Sequence, residues 1–294
     1  MAAYSGIGKM KDTAEDRGMD QAAGCGTFLD RLDTLVYENV EEQSNTMRES
    51  LRALRTNIQF CGDDVRVVLF TSVVPNEGKS TVVQNLGRSF ASSGKKVLVV
   101  DSDMRKSVLL GRYRIRTESG EEILGLSHYL SGQAPLGHVM YRSGTENLWM
   151  VWAGQQTVSP TELLEKNYFR ALMDFARKYF DYVLVDCAPM TAAIDAAVVA
   201  KQCDGAALII EQDSISVRAV NDARRQLEAS GVRVLGCVLN KVRMEKNRYY
   251  GKYYGGYYGK YYGKYYGQYG SESRSGKRGS KEKRSWNPFR RKRG

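Results

Sequence analysis

Between residues 65 and 240, apolar runs alternate with stretches in which apolar residues recur every three or four positions. The runs 65–74, 96–103, 147–154, 181–189, 204–212 and 232–240 predict strands. The stretches between them, 79–93, 161–179, 192–201 and 215–230, predict helices. Upstream, 46–60 (TMRESLRALRTNIQF) carries Leu51, Leu54 and Ile58 at helical spacing and predicts one more. Strands that are apolar throughout are covered on both faces. Their alternation with helices predicts an α/β fold, a mostly parallel sheet flanked by helices on both sides. Residues 1–45 are polar and weakly patterned, which predicts a flexible N-terminal arm. From about 246 the apolar pattern stops, and a disordered tail is predicted.

Charge sharpens that division. The net charge of +11 over 294 residues suggests a nucleic-acid binder until it is split. Residues 241–294 carry 17 Lys and Arg against 3 Asp and Glu, whereas 1–240 carry 27 against 30. The body is near neutral, and the basic excess lies wholly in the tail. Five scattered cysteines, an odd number with no CxxC pair, argue for a reducing compartment and against a zinc site or disulfide framework. The first thirty residues show no secretory signal. No run of about 18 apolar residues exists, so the chain is not expected to span a membrane by itself.

The tail has its own pattern. Residues 249–270, YYGKYYGGYYGKYYGKYYGQYG, hold eleven of the nineteen tyrosines: Tyr249, Tyr250, Tyr253, Tyr254, Tyr257, Tyr258, Tyr261, Tyr262, Tyr265, Tyr266 and Tyr269. Recurrent glycine prevents a stable helix, so these hydroxyls are presented along a flexible segment. Such a segment fits an enzyme substrate. It also fits a Gly/Tyr-rich sticker, or a stacking platform for single-stranded nucleic acid.

The body supplies a phosphate loop. TSVVPNEGKST (71–81) lies between a predicted strand and a predicted helix, and its GKS ends a G-x-x-x-x-G-K-[ST] pattern. The glycine lets backbone approach phosphate, the lysine meets the β- and γ-phosphates and the serine hydroxyl meets Mg²⁺. The candidate ATP-binding residues of the loop are Asn76, Glu77, Gly78, Lys79, Ser80 and Thr81. The pattern departs at its first glycine, which is Val73 here. Two more strands end in carboxylates. KKVLVVDSDMR (95–105) carries Asp101, Asp103 and Arg105, and YVLVDCAP (182–189) carries Asp186. Residues two apart in extended chain point the same way, so Asp101 and Asp103 are both expected to face a bound phosphate. A strand-terminal aspartate can instead simply cap the next helix. Three such segments at carboxyl ends of strands, where α/β sheets bind ligands, favour a nucleotide site.

These motifs together resemble the bacterial tyrosine kinases, or BY-kinases. The resemblance rests on P-x-E-G-K-S-T, V-D-S-D-M-R, V-D-C-A-P and the tyrosine cluster. It also rests on E-S-L-R-A-L-R in the first predicted helix, whose Glu49, Arg52 and Arg55 match the E-x-x-R-x-x-R motif of subunit contact. It covers about 46–270. It implies a P-loop kinase domain over 46–245, with a subunit-contact helix at its start, and a Tyr/Gly-rich then basic tail over 246–294.

By that resemblance, Lys79 and Ser80 hold ATP and Mg²⁺, while Asp103 and Asp186 help to hold the metal. Asp101 accepts the proton of the incoming tyrosine. Arg105 either neutralises phosphate or pairs with an acid. Asn240 either reads the adenine or forms a turn before Lys241. Glu49, Arg52 and Arg55 lie along one helical ridge, a solvated face on charge alone and a contact between subunits by resemblance.

The implied activity is ATP-dependent autophosphorylation of the tyrosine cluster, between subunits of a homo-oligomer that can form a ring. Also implied are a membrane adaptor of the polysaccharide co-polymerase type, a cognate tyrosine phosphatase and a role in surface polysaccharide synthesis and export. The implied location is cytoplasmic, at the inner face of the plasma membrane. The competing reading is a ParA/MinD-like ATPase positioning cargo on membrane or DNA. That family carries an extra lysine five positions before the catalytic one, where this chain has Val74. Nucleic acid is not the expected partner.

Overall fold

The computed structural model describes residues 25–38, 43–107, 111 and 113–243. The tyrosine cluster and the basic segment after it lie outside the described residues, as does the predicted disorder there.

The chain opens with α1 (Cys25–Arg31) and β1 (Leu35–Tyr37), then α2 (Asn45–Gln59) and β2 (Val67–Ser72). Next come α3 (Lys79–Ala91), β3 (Val97–Asp101), β4 (Ile115–Thr117) and the short α4 (Leu126–Leu130). β5 (Met140–Arg142) and β6 (Leu148–Val151) precede α5 (Pro160–Leu164) and α6 (Asn167–Tyr179). β7 (Tyr182–Asp186), α7 (Asp195–Ala200), β8 (Gly205–Glu211), α8 (Val217–Ala229) and β9 (Val234–Asn240) follow, and a single 3-10 turn at Leu136–His138 precedes β5.

The main sheet has seven strands in the order β5-β6-β3-β7-β2-β8-β9, all parallel except β5, which pairs antiparallel with β6. All six predicted strands and the mostly parallel α/β arrangement are present. Two-sided burial is visible residue by residue in β2, β3, β7 and β8, whereas β9, at the sheet edge with one strand neighbour, leaves Gly236, Cys237 and Leu239 exposed. Val67, Leu69, Leu98, Val100, Val183, Val185, Ala206 and Leu208 enter one core cluster. The intervening Val68, Phe70, Val97, Val99, Leu184, Ala207 and Ile209 enter the other. α2 and α3 cover the second face. Leu51 and Ile58 of α2 are buried there and Leu54 half-buried, and Ser44 accepts the Met47 N–H at 3.2 Å to cap the helix start. α3 presents Val82, Val83, Leu86 and Phe90, each a contribution of about 1.5–3 kcal/mol when fully buried. A Cβ on Gly87 would meet Val99 Cγ2 at 2.8 Å, so α3 sits closer to the sheet than any other residue at that position allows.

Three expectations change. The flexible arm is structured over 25–38: Leu29 and Leu32 join the first core cluster, and Leu35 joins the second. β1 pairs antiparallel with β4, Leu35 opposite Thr117. A three-residue apolar spacing in a polar region hid an element that tertiary packing secures. The predicted helix 161–179 is two helices, because Lys166 adopts an extended backbone (ψ 156°) and restarts the turn as α6. The periodicity runs through the break since Leu164 and Phe169 are both buried. The antiparallel edge strand β5, only three residues long, carries too short a pattern to read.

Candidate active site

The site begins where β2 stops. The loop 73–78 carries the chain from Ser72 into Lys79, the first residue of α3. Two of its residues have left-handed backbone, Asn76 (φ 69°) and Gly78 (φ 84°). Val73, in place of the pattern's first glycine, is not among the positive-φ residues and is buried in the core. The loop therefore needs no glycine there. Glu77 holds its shape from behind, with 1% of its surface exposed. Oε2 accepts the Val73 and Val74 amides at 2.9 and 3.0 Å. Oε1 accepts the Glu211 amide at 3.0 Å and the Ser214 hydroxyl at 3.1 Å. The Glu77 carboxylate is thus a brace for the loop, not a group offered to a ligand.

The end of β9 grips the loop from the front. Asn240 Nδ2 donates to the Glu77 carbonyl at 2.9 Å. Lys241 Nζ donates to the Asn76 carbonyl at 2.7 Å and pairs with Glu211 at 2.8 Å. Asn240 thus sits on the phosphate loop itself, and so does Lys241, which no motif marks.

Together these segments line a cleft of about 740 Å³ that includes residues 75–81, Asp103, Arg105, Asn240 and Lys241. Lys79 stands at its base with 7% of its surface exposed. Its Nζ lies 2.8 Å from Asp186 Oδ1, 3.3 Å from Ser80 Oγ and 3.5 Å from Asp103 Oδ2. Burial opposes the ammonium charge, but the Asp186 and Asp103 carboxylates outweigh it and raise the lysine's pKa. Burial pushes Asp186 upward too, against the pull of Lys79.

Asp101 and Asp186 are register partners at the ends of β3 and β7. Burial and the neighbouring Asp186 push Asp101 up to about 7, against a hydrogen bond from Ser107. Both its oxygens are occupied: Oδ1 accepts the Asp103 amide at 3.0 Å, and Oδ2 accepts the Ser107 hydroxyl at 2.6 Å. Only 2% exposed, Asp101 does not line the cleft, whereas Asp103 does. The expectation that both aspartates face the ligand fails here. β3 ends at Asp101 and the chain turns back on itself, so strand alternation no longer sets the direction of Asp103.

Arg105 resolves toward an acid partner. Its Nε and Nη2 donate to Asp195 at 2.7 and 3.0 Å, although the side chain still lines the cleft. The helical ridge is not uniform either. Glu49 and Arg52 pair with each other at 2.6 Å and are exposed, but Arg55 turns inward and donates to the Ser89 carbonyl of α3.

The donor set suits a nucleotide-bound Mg²⁺. Asp186 Oδ2 is buried and accepts no hydrogen bond among the described residues, with Ser80 close by across Lys79. No cluster of three or more His, Cys, Asp or Glu suited to a metal occurs among the described residues. Mg²⁺ does not need one, since it takes one or two carboxylates and completes its shell with water and phosphate oxygens.

A phosphate loop opening a helix, with carboxylates at the ends of two adjacent parallel strands, defines a P-loop nucleotide-binding protein. A family profile described as an AAA domain matches residues 74–221. The tyrosine-protein kinase CpsD of Streptococcus pneumoniae is 42% identical over 201 residues, 68% of this chain and 87% of that protein. CpsD of Streptococcus agalactiae is 38% identical over 222 residues, 74% of this chain and 95% of that one. Among solved structures, the kinase domain of the Escherichia coli tyrosine kinase Etk superposes with a TM-score of 0.63 at 30% identity, covering 68% of this chain and 77% of that domain. The chain belongs to the bacterial tyrosine-protein kinases of the CpsD type. It is a protein-tyrosine kinase, and no helix among its described residues is long and apolar enough to cross a membrane.

Proposed function

We propose that the cleft binds Mg-ATP and transfers its γ-phosphoryl group to the tyrosines of residues 249–270, between subunits. The observation that carries this is the buried Lys79 at the base of the cleft, 2.8 Å from Asp186 and 3.5 Å from Asp103, with Asp101 beside Asp186 as its register partner. On ATP entry Lys79 exchanges its Asp186 contact for the β- and γ-phosphates, and the α3 amides complete the anion site. Ser80, Asp186 and Asp103 are the residues that would hold Mg²⁺, whose charge offsets that of the phosphates. Asn240 closes the loop side of the cleft and, by the resemblance, meets the base.

Asp101 takes the proton of the acceptor tyrosine. The phenolic oxygen forms the new bond to the γ-phosphorus as the bond to the β–γ bridging oxygen breaks, and ADP leaves. An acceptor near neutral suits this task, because general bases work best with a pKa close to the working pH. For Asp101 to act, Ser107 must release Oδ2 and the tyrosine hydroxyl take its place.

The resemblance and the CpsD relatives support further parts of the reading. The kinase self-associates through the exposed Glu49 and Arg52 of α2 and answers to a membrane adaptor of the polysaccharide co-polymerase type. It is recruited to the inner face of the plasma membrane, reversed by a cognate tyrosine phosphatase and regulates surface polysaccharide synthesis and export. Each phosphotyrosine adds about −1.5 to −2 charges, so full modification of eleven turns a basic tail acidic. The direct test is incubation with Mg-ATP, with and without the adaptor, followed by an anti-phosphotyrosine blot. Signal on the wild type and none on Lys79→Met is the expected outcome. Equal signal on both removes the site assignment.

A further inference from the structure

Asp195 is the first residue of α7 and has no exposed surface. A carboxylate at that depth needs full pairing, because burying an uncompensated charge is costly. Its partners come from two other elements. Arg105, from the turn after β3, donates through Nε to Oδ2 at 2.7 Å and through Nη2 to Oδ1 at 3.0 Å. Thr161 of α5 donates its hydroxyl to Oδ1 at 2.5 Å and accepts from Arg105 Nη2 at 3.1 Å. The arginine is gripped along one whole edge in the planar fork that favours bidentate pairing with carboxylates.

A guanidinium has five N–H groups. Here Nε–H and the two on Nη2 are committed to Asp195 and Thr161. The two on Nη1 have no partner among the described residues. The side chain is 35% exposed and lines the same cleft as Lys79 and Asp103. An arginine stays protonated in a protein, so the pairing fixes the guanidinium without removing its charge. A wholly buried acid is thus spent on fixing one cation at the rim of a phosphate-binding cleft.

We propose that Asp195 and Thr161 are positioning residues that clamp one edge of the Arg105 guanidinium and leave Nη1 to bind the polyphosphate of the nucleotide. This rests on the reading of the cleft as an ATP site. Lysine cannot substitute for the arginine. Its ammonium is a point charge and cannot bridge both Asp195 oxygens while keeping a second face for phosphate.

The test uses the full chain, with Mg-ATP affinity by titration calorimetry, KM and kcat for ATP, and melting temperature. Arg105→Ala and Asp195→Asn are each expected to weaken Mg-ATP binding by about tenfold, the scale of one charge-assisted contact. The double variant is expected to bind no more weakly than Arg105→Ala alone, because Asp195 acts through Arg105. A merely structural acid would instead add its effect to that of Arg105→Ala, and additive losses overturn the proposal. Unchanged Mg-ATP affinity in Asp195→Asn overturns it too. If Asp195→Asn does not fold, Thr161→Val and Arg105→Lys decide. A raised KM for ATP at an unchanged melting temperature supports the clamp, and unchanged KM in both overturns it. If the wild type itself binds no Mg-ATP, the ATP assignment falls and the clamp falls with it. If the wild type binds and only the clamp variants are silent, the ATP assignment stands alone.

Discussion

The Asn240 amide stands so close over Gly78 that a Cβ added at 78 would meet Asn240 Nδ2 at 2.3 Å. Gly78 also has φ 84°, a conformation that disfavours any side chain. Gly78→Ala therefore strains the backbone and pushes Asn240 off the loop at once. The expected outcome is a folded protein whose Mg-ATP affinity falls more than about tenfold, since backbone strain of this kind is on the order of 1–2 kcal/mol before the collision is counted. Adding Asn240→Ala should return part of the affinity by opening space. Calorimetric titration of both variants checks this, and equal affinities for the single and double variants would show that the contact is irrelevant.

Lys79→Met separates stability from activity. Removing one member of a buried ion pair costs about 3–5 kcal/mol when the other is left charged and unpaired. Here Asp186 can also pick up a proton, because burial already raises its pKa, so the loss is expected at or below the low end of that range. Lys79→Met should melt several degrees lower and give no phosphotyrosine. Adding Asp186→Asn should recover melting temperature without recovering activity. Thermal melts beside a phosphotyrosine blot read both halves.

Ser107→Ala removes the hydroxyl that occupies Asp101 Oδ2. The acceptor tyrosine then competes with nothing for that oxygen, and the rate on a tyrosine peptide should rise by roughly two- to tenfold, the scale of one hydrogen bond. KM for ATP should not change, because Ser107 does not line the cleft. A slower peptide rate at the same ATP affinity would mean that Ser107 supports Asp101 rather than covering it.

Glu49, Arg52 and Arg55 of α2 should divide into two classes. Glu49 and Arg52 are exposed and, among the described residues, pair only with each other, a contact worth about 0–1 kcal/mol to the fold. Replacing both with alanine should leave the melting temperature alone and reduce self-association measured by light scattering. Arg55 braces α2 against α3, so Arg55→Ala should lower the melting temperature first. Unchanged mass in the Glu49/Arg52 variant, where the wild type assembles, would leave the pair a solvated one.

Transfer between subunits is read by mixing. A Lys79→Met chain with its tail intact is combined with an active chain lacking 249–270. Phosphotyrosine on the Lys79→Met chain is the expected result. Its absence, with self-labelling of the full-length protein independent of concentration, would place transfer within one chain.

The sheet was legible because strands buried on both faces must be apolar, as β2, β3, β7 and β8 are, and the edge strand β9 is apolar enough to read although Gly236, Cys237 and Leu239 are exposed. The phosphate loop was legible from Gly78, Lys79 and Ser80, and Val73 misled nothing since its backbone needs no glycine. What escaped the sequence was direction. Asp101 and Asp103 lie two apart, but the strand ends between them and only one faces the cleft. Arg55 follows Arg52 by one helical step, yet that step carries it from solvent to the face packed on α3. Asp195 and Thr161 were invisible for a different reason. Each reads as an ordinary helix-start residue, and only the fold brings both to Arg105. Residues 25–38 were missed because three leucines in polar surroundings are a weak signal until β4 and the core are there to receive them.

The grip of Lys241 on the Asn76 carbonyl has a consequence of length. It fixes Lys241 at the nucleotide cleft, so the covalent length of the chain bounds how far each tyrosine lies from that point. Tyr249 is eight residues on and lies within about 26–29 Å, whereas Tyr269 is twenty-eight residues on and lies within about 92–101 Å. As substrates of the proposed transfer between subunits, the eleven hydroxyls are therefore not equivalent. The expected order of modification runs from Tyr269 inward, and mass spectrometry of partly modified protein checks it.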